Sequence, residues 1–234
     1  MDVMTFCRTL TRRADSIEER RALYRSELAP HGYRGGLHIA YTIALGLSLT
    51  AGAWSQVQRW TAAAQLGLAG GVLASMCVIY FAHRFPMHHA SGRAAYDLHT
   101  RCHHMLFDRD HLEIRSLADI GMVMLPKFGT LVLCVVVFPL IAAPLTLVSW
   151  DATFAFLGCV QLYFLAYELV HLAAHAPDQS RVHRTPGLGF LTRHHRRHHD
   201  WRVMHSKNFA MVLPLFDYLF GTAAPPEVPA PDAR

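Results

Sequence analysis

The sequence carries little charge and no paired cysteines. Charged residues make up 17% of its 234 residues, below the roughly 25% of an average soluble domain. The five cysteines, Cys7, Cys77, Cys102, Cys134 and Cys159, are odd in number and form no CxxC. That excludes a disulfide framework and a thiolate zinc site. No GxGxxG follows a strand pattern, no CxxCH haem site occurs, and no iron–sulfur cysteine set is present. Any redox chemistry therefore needs reducing electrons from outside the chain. No secretory signal is expected, because the first apolar run begins near Leu37, too late for an h-region.

Apolar residues are abundant, at 52%. Four stretches stand out, at 37–54, 64–82, 128–148 and 152–170, with Glu168 their one acidic residue. Each is close to the ~20 residues that cross a bilayer core of about 30 Å. None shows the polar face every 3.6 residues that a soluble bundle needs. Lysine and arginine cluster outside them: seven in 1–36, six in 83–127 and eight after 170. The connection between the first two stretches carries only Arg59, and the turn near 149–151 carries none. By the positive-inside rule both termini and the middle segment face the cytoplasm. The net charge of +5 then suits anionic lipid headgroups rather than nucleic acid. The expected fold is all-α: an integral membrane bundle of four transmembrane helices in two hairpins, with a cytoplasmic helical cap. Residues 1–36 form an arm, read either as an interfacial helix or as a solvated charged tail. Residues 37–222 form the membrane domain, and 223–234 a disordered tail.

Histidine is the outlier. Of 17 copies, fifteen lie between His83 and His205. Twelve of these form four boxes: His83 with His88 and His89; His99 with His103 and His104; His171 with His175; and His194, His195, His198 and His199. Residues three or four apart share a helical face, so His171/His175, His99/His103, His195/His198 and His195/His199 can each chelate. Four such groups offer more nitrogens than one metal uses, which implies two metals. Imidazole suits iron, zinc, copper and nickel, whereas magnesium and calcium prefer oxygen. Glu168-Leu-Val-His171 is a single ExxH match, not the pair of a di-iron carboxylate bundle. Glu168 shares a face with His171 and His175 and is placed to accept a hydrogen bond from a ligand's distal N–H. Asp108, Asp110, Asp200 and Asp217 are further candidates for that role. His31, His38, His111 and His183 stand alone and read as ordinary surface or core residues.

The four boxes, with the closing stretch Asn208-Phe209 to Gly221-Thr222, resemble the fatty acid hydroxylase/sterol desaturase superfamily over roughly residues 70–222. The resemblance implies a non-haem di-iron oxygenase that uses O₂ to hydroxylate a lipid, a fatty acyl or sterol-like chain. Two iron ions are the expected cofactors, with zinc a substitute occupant. A lipid substrate and an external electron donor, a reductase with a ferredoxin- or cytochrome-type carrier, are the expected partners. Carried over by position, the ligands are His83, His88, His99, His103, His104, His171, His175, His195, His198 and His199. His88 against His89, and His194 against His195, stay open, and His205 is an additional candidate. Desaturation on the same centre is the alternative chemistry. A histidine-rich metal transporter is a weaker one, because the four apolar stretches hold almost no polar residues.

Overall fold

The computed structural model describes residues 2–29 and 31–225, with helices and no strand among them. Helix α1 (Val3–Arg13) opens on Asp2, whose side chain accepts from the Thr5 amide. Helix α2 (Ile17–Glu27) opens on a capping box made by Ser16 and Glu19. Four helices are long and apolar enough to cross a membrane: α3 (Gly35–Ser55), α4 (Ala62–Met87), α6 (Lys127–Leu147) and α7 (Trp150–Ala174). Between them runs α5, residues 94–106. After them come α8 (Leu188–His198) and the short α9 (Leu215–Leu219). The four long helices match the apolar stretches to within a few residues at each end, the third stopping at Leu147, one residue short of the expected stretch. On α6, Leu131, Val135, Val136, Leu140 and Leu147 all face outward. An apolar face of that extent belongs in lipid rather than water, and the chain is a membrane protein.

Helix α7 is the most enclosed of the four and packs on α3 and α4. Small residues set the distance to α4. A Cβ at Gly67 would stand 2.3 Å from the Ala152 carbonyl oxygen, and one at Gly71 would stand 2.9 Å from that of Phe156. This small-xxx-small spacing lets two backbones touch, and it sets how close the far ends of α4 and α7, with their histidines, can come. On α3, the Trp54 indole N–H donates to the Ala155 carbonyl at 3.3 Å. The Gln58 amide donates to Asp151 at 2.8 Å. The end of α3 and the start of α7 thus meet.

The N-terminal arm does not stand off as a solvated tail. Phe6, Cys7, Leu10 and Tyr24 pack against Cys102, Leu106 and Phe107. Arg8 pairs with Asp97 at 2.6 Å, and Arg25 pairs with Asp119 at 2.8 Å. Of the tail expected at 223–234, all beyond residue 225 lies outside the described residues.

Candidate metal centre

Two histidine groups sit where α4, α5, α7 and α8 converge. The first is His83, His88, His99, His104 and His198; the second is His103, His171, His175, His195 and His199. Within each group the five candidate ligand atoms all lie within 4.8 Å of one another. The groups adjoin, with the His104 and His199 rings 4.2 Å apart between centroids. The structure thus brings together all ten histidines singled out from the boxes. His89 lies outside both groups, its ring 5.9 Å from that of Phe85. His194 also lies outside, with Nε2 2.9 Å from the Asp217 carboxylate. His205 stands beside the first group, its Nδ1 3.1 Å from the His88 carbonyl and its ring 5.4 Å from that of His88.

The partners differ from those that α-helical spacing gives. His99 and His103 do not share a group; His99 goes with His104, five residues on. Likewise His83 goes with His88. The reason is local: His83–Met87 and His99–His103 are π-helical turns, in which i and i+5 stack on one face. Pro86 adds to the first of these, since it has no N–H for the helical ladder. On α8 the ordinary period holds for His195 and His199, while His198 turns to the first group.

Backbone carbonyls orient the rings. Carbonyl oxygens only accept, so each such contact puts the proton on Nδ1 and leaves Nε2 with a lone pair. His83 donates to Phe209 at 2.6 Å, His103 to Met122 at 2.9 Å and His175 to Leu112 at 2.8 Å. His198 donates to Lys207 at 2.8 Å, and His199 donates to Phe107. His103 and His199 therefore face each other with two bare Nε2 atoms only 3.2 Å apart. In the first group, His88 and His198 stand 2.9 Å apart through Nε2. Among the described residues, the Nδ1 partner of His88 is the Thr100 hydroxyl oxygen at 3.4 Å, whose own proton goes to the Met87 carbonyl. His175 Nε2 is buried with no hydrogen-bond partner among the described residues. Facing lone pairs in a buried site repel unless a cation lies against both. The donor set fits a metal ion in each group.

The protonation states agree. Burial, then the neighbouring imidazoles, hold His88 down at about 2. Burial lowers His103 to about 4. His99, His104, His175, His195, His198 and His199 lie well below the ordinary imidazole range for the same first cause. All are neutral at pH 7, the form that ligates.

The carboxylates take other partners than a ligand's distal N–H. Glu168 accepts from the Leu125 amide at 3.0 Å. Asp200 accepts from Arg109 at 2.9 Å and from Arg202; these guanidiniums hold its carboxyl down at about 2. Asp108 accepts from the lone His111. The Asp110 amide donates to Asp108. Asp217 clamps the closing loop, accepting from the Phe209 and Ala210 amides at 2.9 and 2.8 Å, from Thr222 Oγ1 at 2.7 Å and from His194. It acts on His83 at one remove, through the Phe209 carbonyl. Sequence reasoning missed these carbonyl partners because a backbone oxygen has no residue signature.

It also missed Arg21, which is 2% exposed. Arg21 donates to the carbonyls of Leu106 at 2.8 Å, Glu113 at 2.9 Å and His111 at 2.5 Å. The only signal was an arginine within the apolar face of α2.

An apolar cavity of about 1090 Å³ reaches the centre. His83 and His99 of the first group and His103 and His171 of the second form part of its wall. A family model for fatty acid hydroxylases matches residues 68–222. The chain belongs to the fatty acid hydroxylase family. The match takes in both histidine groups and the closing loop, and it stops short of the N-terminal arm and α3. No curated protein and no solved structure matches the chain. Membership in the fatty acid hydroxylases makes it a lipid-modifying oxygenase, with histidine clusters compatible with a metal site.

Proposed function

We propose that the protein is a membrane di-iron oxygenase that hydroxylates a lipid. The observation that carries this is a single cavity walled by histidines from both groups. The ligands are His83, His88, His99, His104 and His198 for one iron, and His103, His171, His175, His195 and His199 for the other. Bound iron would supply O₂ activation and one-electron redox chemistry, which no side chain of this protein offers. The residues themselves hold neutral Nε2 atoms in place, keep water from the centre and present a C–H bond to it. Apolar walls from α4, α6 and α7 do the last two. The same centre would serve desaturation; hydroxylation is preferred on the family's own description.

The four spans are read as two hairpins, joined by the short connection at 56–61 and the turn at 148–149. The Lys/Arg distribution puts both termini and the centre on the cytoplasmic side. An electron carrier and its reductase would dock there. Asp217 and Asp200 are assigned supporting roles, Asp217 through the closing loop and Asp200 by tying Arg109 to Arg202. Glu168 is assigned to fix Leu125 beside the cavity.

Elemental analysis of the purified protein tests the metals, with two equivalents of iron expected. Folded protein purified with iron supplied and holding none would overturn the reading. Lipid mass spectrometry of cells with and without the gene tests the reaction. One lipid class should gain the mass of an oxygen atom; loss of two hydrogens instead would mean desaturation.

A further inference from the structure

The cavity has two distinct ends. At one end are the wall histidines and two cations, Arg34 and Lys127. The helix starts are tied together there. His38, one turn into α3, donates from Nε2 to the Leu125 carbonyl at 3.0 Å. The Tyr41 hydroxyl donates to the Lys127 carbonyl at 3.2 Å. Leu125 in turn binds Glu168 through its amide, and Glu168 lies three residues before His171 on α7. The cations and the histidine wall therefore share one level of the bundle.

From that level the cavity runs away between three helices. It reaches Ala74 on α4, Ile141 on α6 and Phe156 on α7. Phe156 precedes His171 by fifteen residues, which is about 22 Å along a helix. The walls of this deep arm are mostly apolar, including Val160, Phe138 and Val137.

Among the described residues, neither Arg34 nor Lys127 makes an ion pair or a side-chain hydrogen bond. Of the other polar groups of the lining, Ser75 Oγ, beside Ala74, has no partner among the described residues, and two near the cations are already engaged. The Tyr33 hydroxyl donates to His38 Nδ1 at 2.6 Å, and Glu168, the one acid in the lining, holds the Leu125 amide. A negative head beside Glu168 is disfavoured, whereas between the two cations it is stabilised. A neutral head such as a sterol hydroxyl would leave both cations unmatched.

We propose that the cavity takes an anion-headed acyl chain, with the head between Arg34 and Lys127, the carbons nearest the head against the histidine wall, and the tail in the deep arm. This rests on the oxygenase reading, and it assigns oxidation to the head-proximal part of the chain rather than to its methyl end. Carboxylate and phosphate heads share the required chemistry.

Detergent-purified, iron-loaded protein is offered three radiolabelled probes: palmitate, 1-palmitoyl-lysophosphatidate and hexadecanol. At least one anionic probe should be retained ten-fold more tightly than hexadecanol, and the stronger of the two identifies the head. The R34Q/K127Q variant should lose that preference, and R34K/K127R should keep it. Equal retention of hexadecanol by the unaltered protein, or a preference that survives R34Q/K127Q, would overturn the proposal. Two palmitate analogues then map the depth by photo-crosslinking and peptide mass spectrometry. A diazirine near the carboxyl should label Leu98 or Met122, and one near the methyl end should label Ile141 or Phe156; the reverse pattern overturns the orientation. Iron-loaded protein that fails these binding tests sinks this inference alone, while absence of iron sinks the parent reading.

Discussion

The Arg21 guanidinium lies 4.7 Å from the centroid of the Phe107 ring. Around that stacked pair Arg21 holds the carbonyls of Leu106, His111 and Glu113. The segment it grips supplies the Phe107 and Leu112 carbonyls that orient His199 and His175. Replacing Arg21 by alanine takes the partner from one buried carbonyl, that of Leu106, and from two part-buried ones, and should cost about 2–3 kcal/mol. Iron should be lost from the second group first, so that metal content falls towards one equivalent. Thermal melting with elemental analysis checks this; an R21A protein with unchanged melting and two irons would refute it.

The two groups should also empty independently. Replacing His88 and His198 by alanine removes two facing nitrogens from the first group, and replacing His103 and His171 does so in the second. Each double variant should retain about one equivalent of iron, and both should lose hydroxylation. If either variant kept two irons at full occupancy, the assignment of five histidines per metal would fail.

Asp217 is fully buried and accepts four hydrogen bonds. Asp217→Ala should destabilise by about 2–4 kcal/mol, because two amides, a hydroxyl and an imidazole lose their partner together. Asp217→Asn keeps the shape and should cost less. Melting temperatures give the ranking. A D217A protein as stable as the parent would show that the loop is held some other way.

Acid should weaken the metal-free protein. Above about pH 6.5 the histidines are neutral in both folded and unfolded chains and contribute no pH dependence. Below it the unfolded chain takes up protons that His88 and His103, held at about 2 and about 4, refuse. Stability should therefore fall as pH drops through the ordinary imidazole range. Melting of iron-free protein at pH 7.5 and at pH 5.5 tests the sign; equal values would mean that these rings are not buried when empty.

The spans and the boxes were legible because each rests on a composition signal that neighbours do not alter. Twenty apolar residues read as a span whatever they touch, and ten histidines in four clusters are hard to use otherwise. Pairing within the boxes was not legible. His99 and His103 look like partners at a helical spacing, yet the π turn sends them to different groups. The role of the arm was hidden too, since Arg21 and Phe107 meet only across 86 positions of chain. Gly67 and Gly71 carried a readable small-xxx-small signal that was passed over for the histidines further along the same helix.

A π turn is an α-helical turn holding one residue more than the regular ladder needs. At His83–Met87 and at His99–His103 that surplus residue is what brings partners five apart onto one bearing. Winding either turn as a regular α-helix with all its residues kept would swing His88 or His104 by about 100°, one residue's rotation at 3.6 residues per turn, whereas deleting the surplus residue would leave the partners four apart and still on one face. The box spacings are thus angular settings as much as lengths: five residues across a π turn do what four do across an α turn.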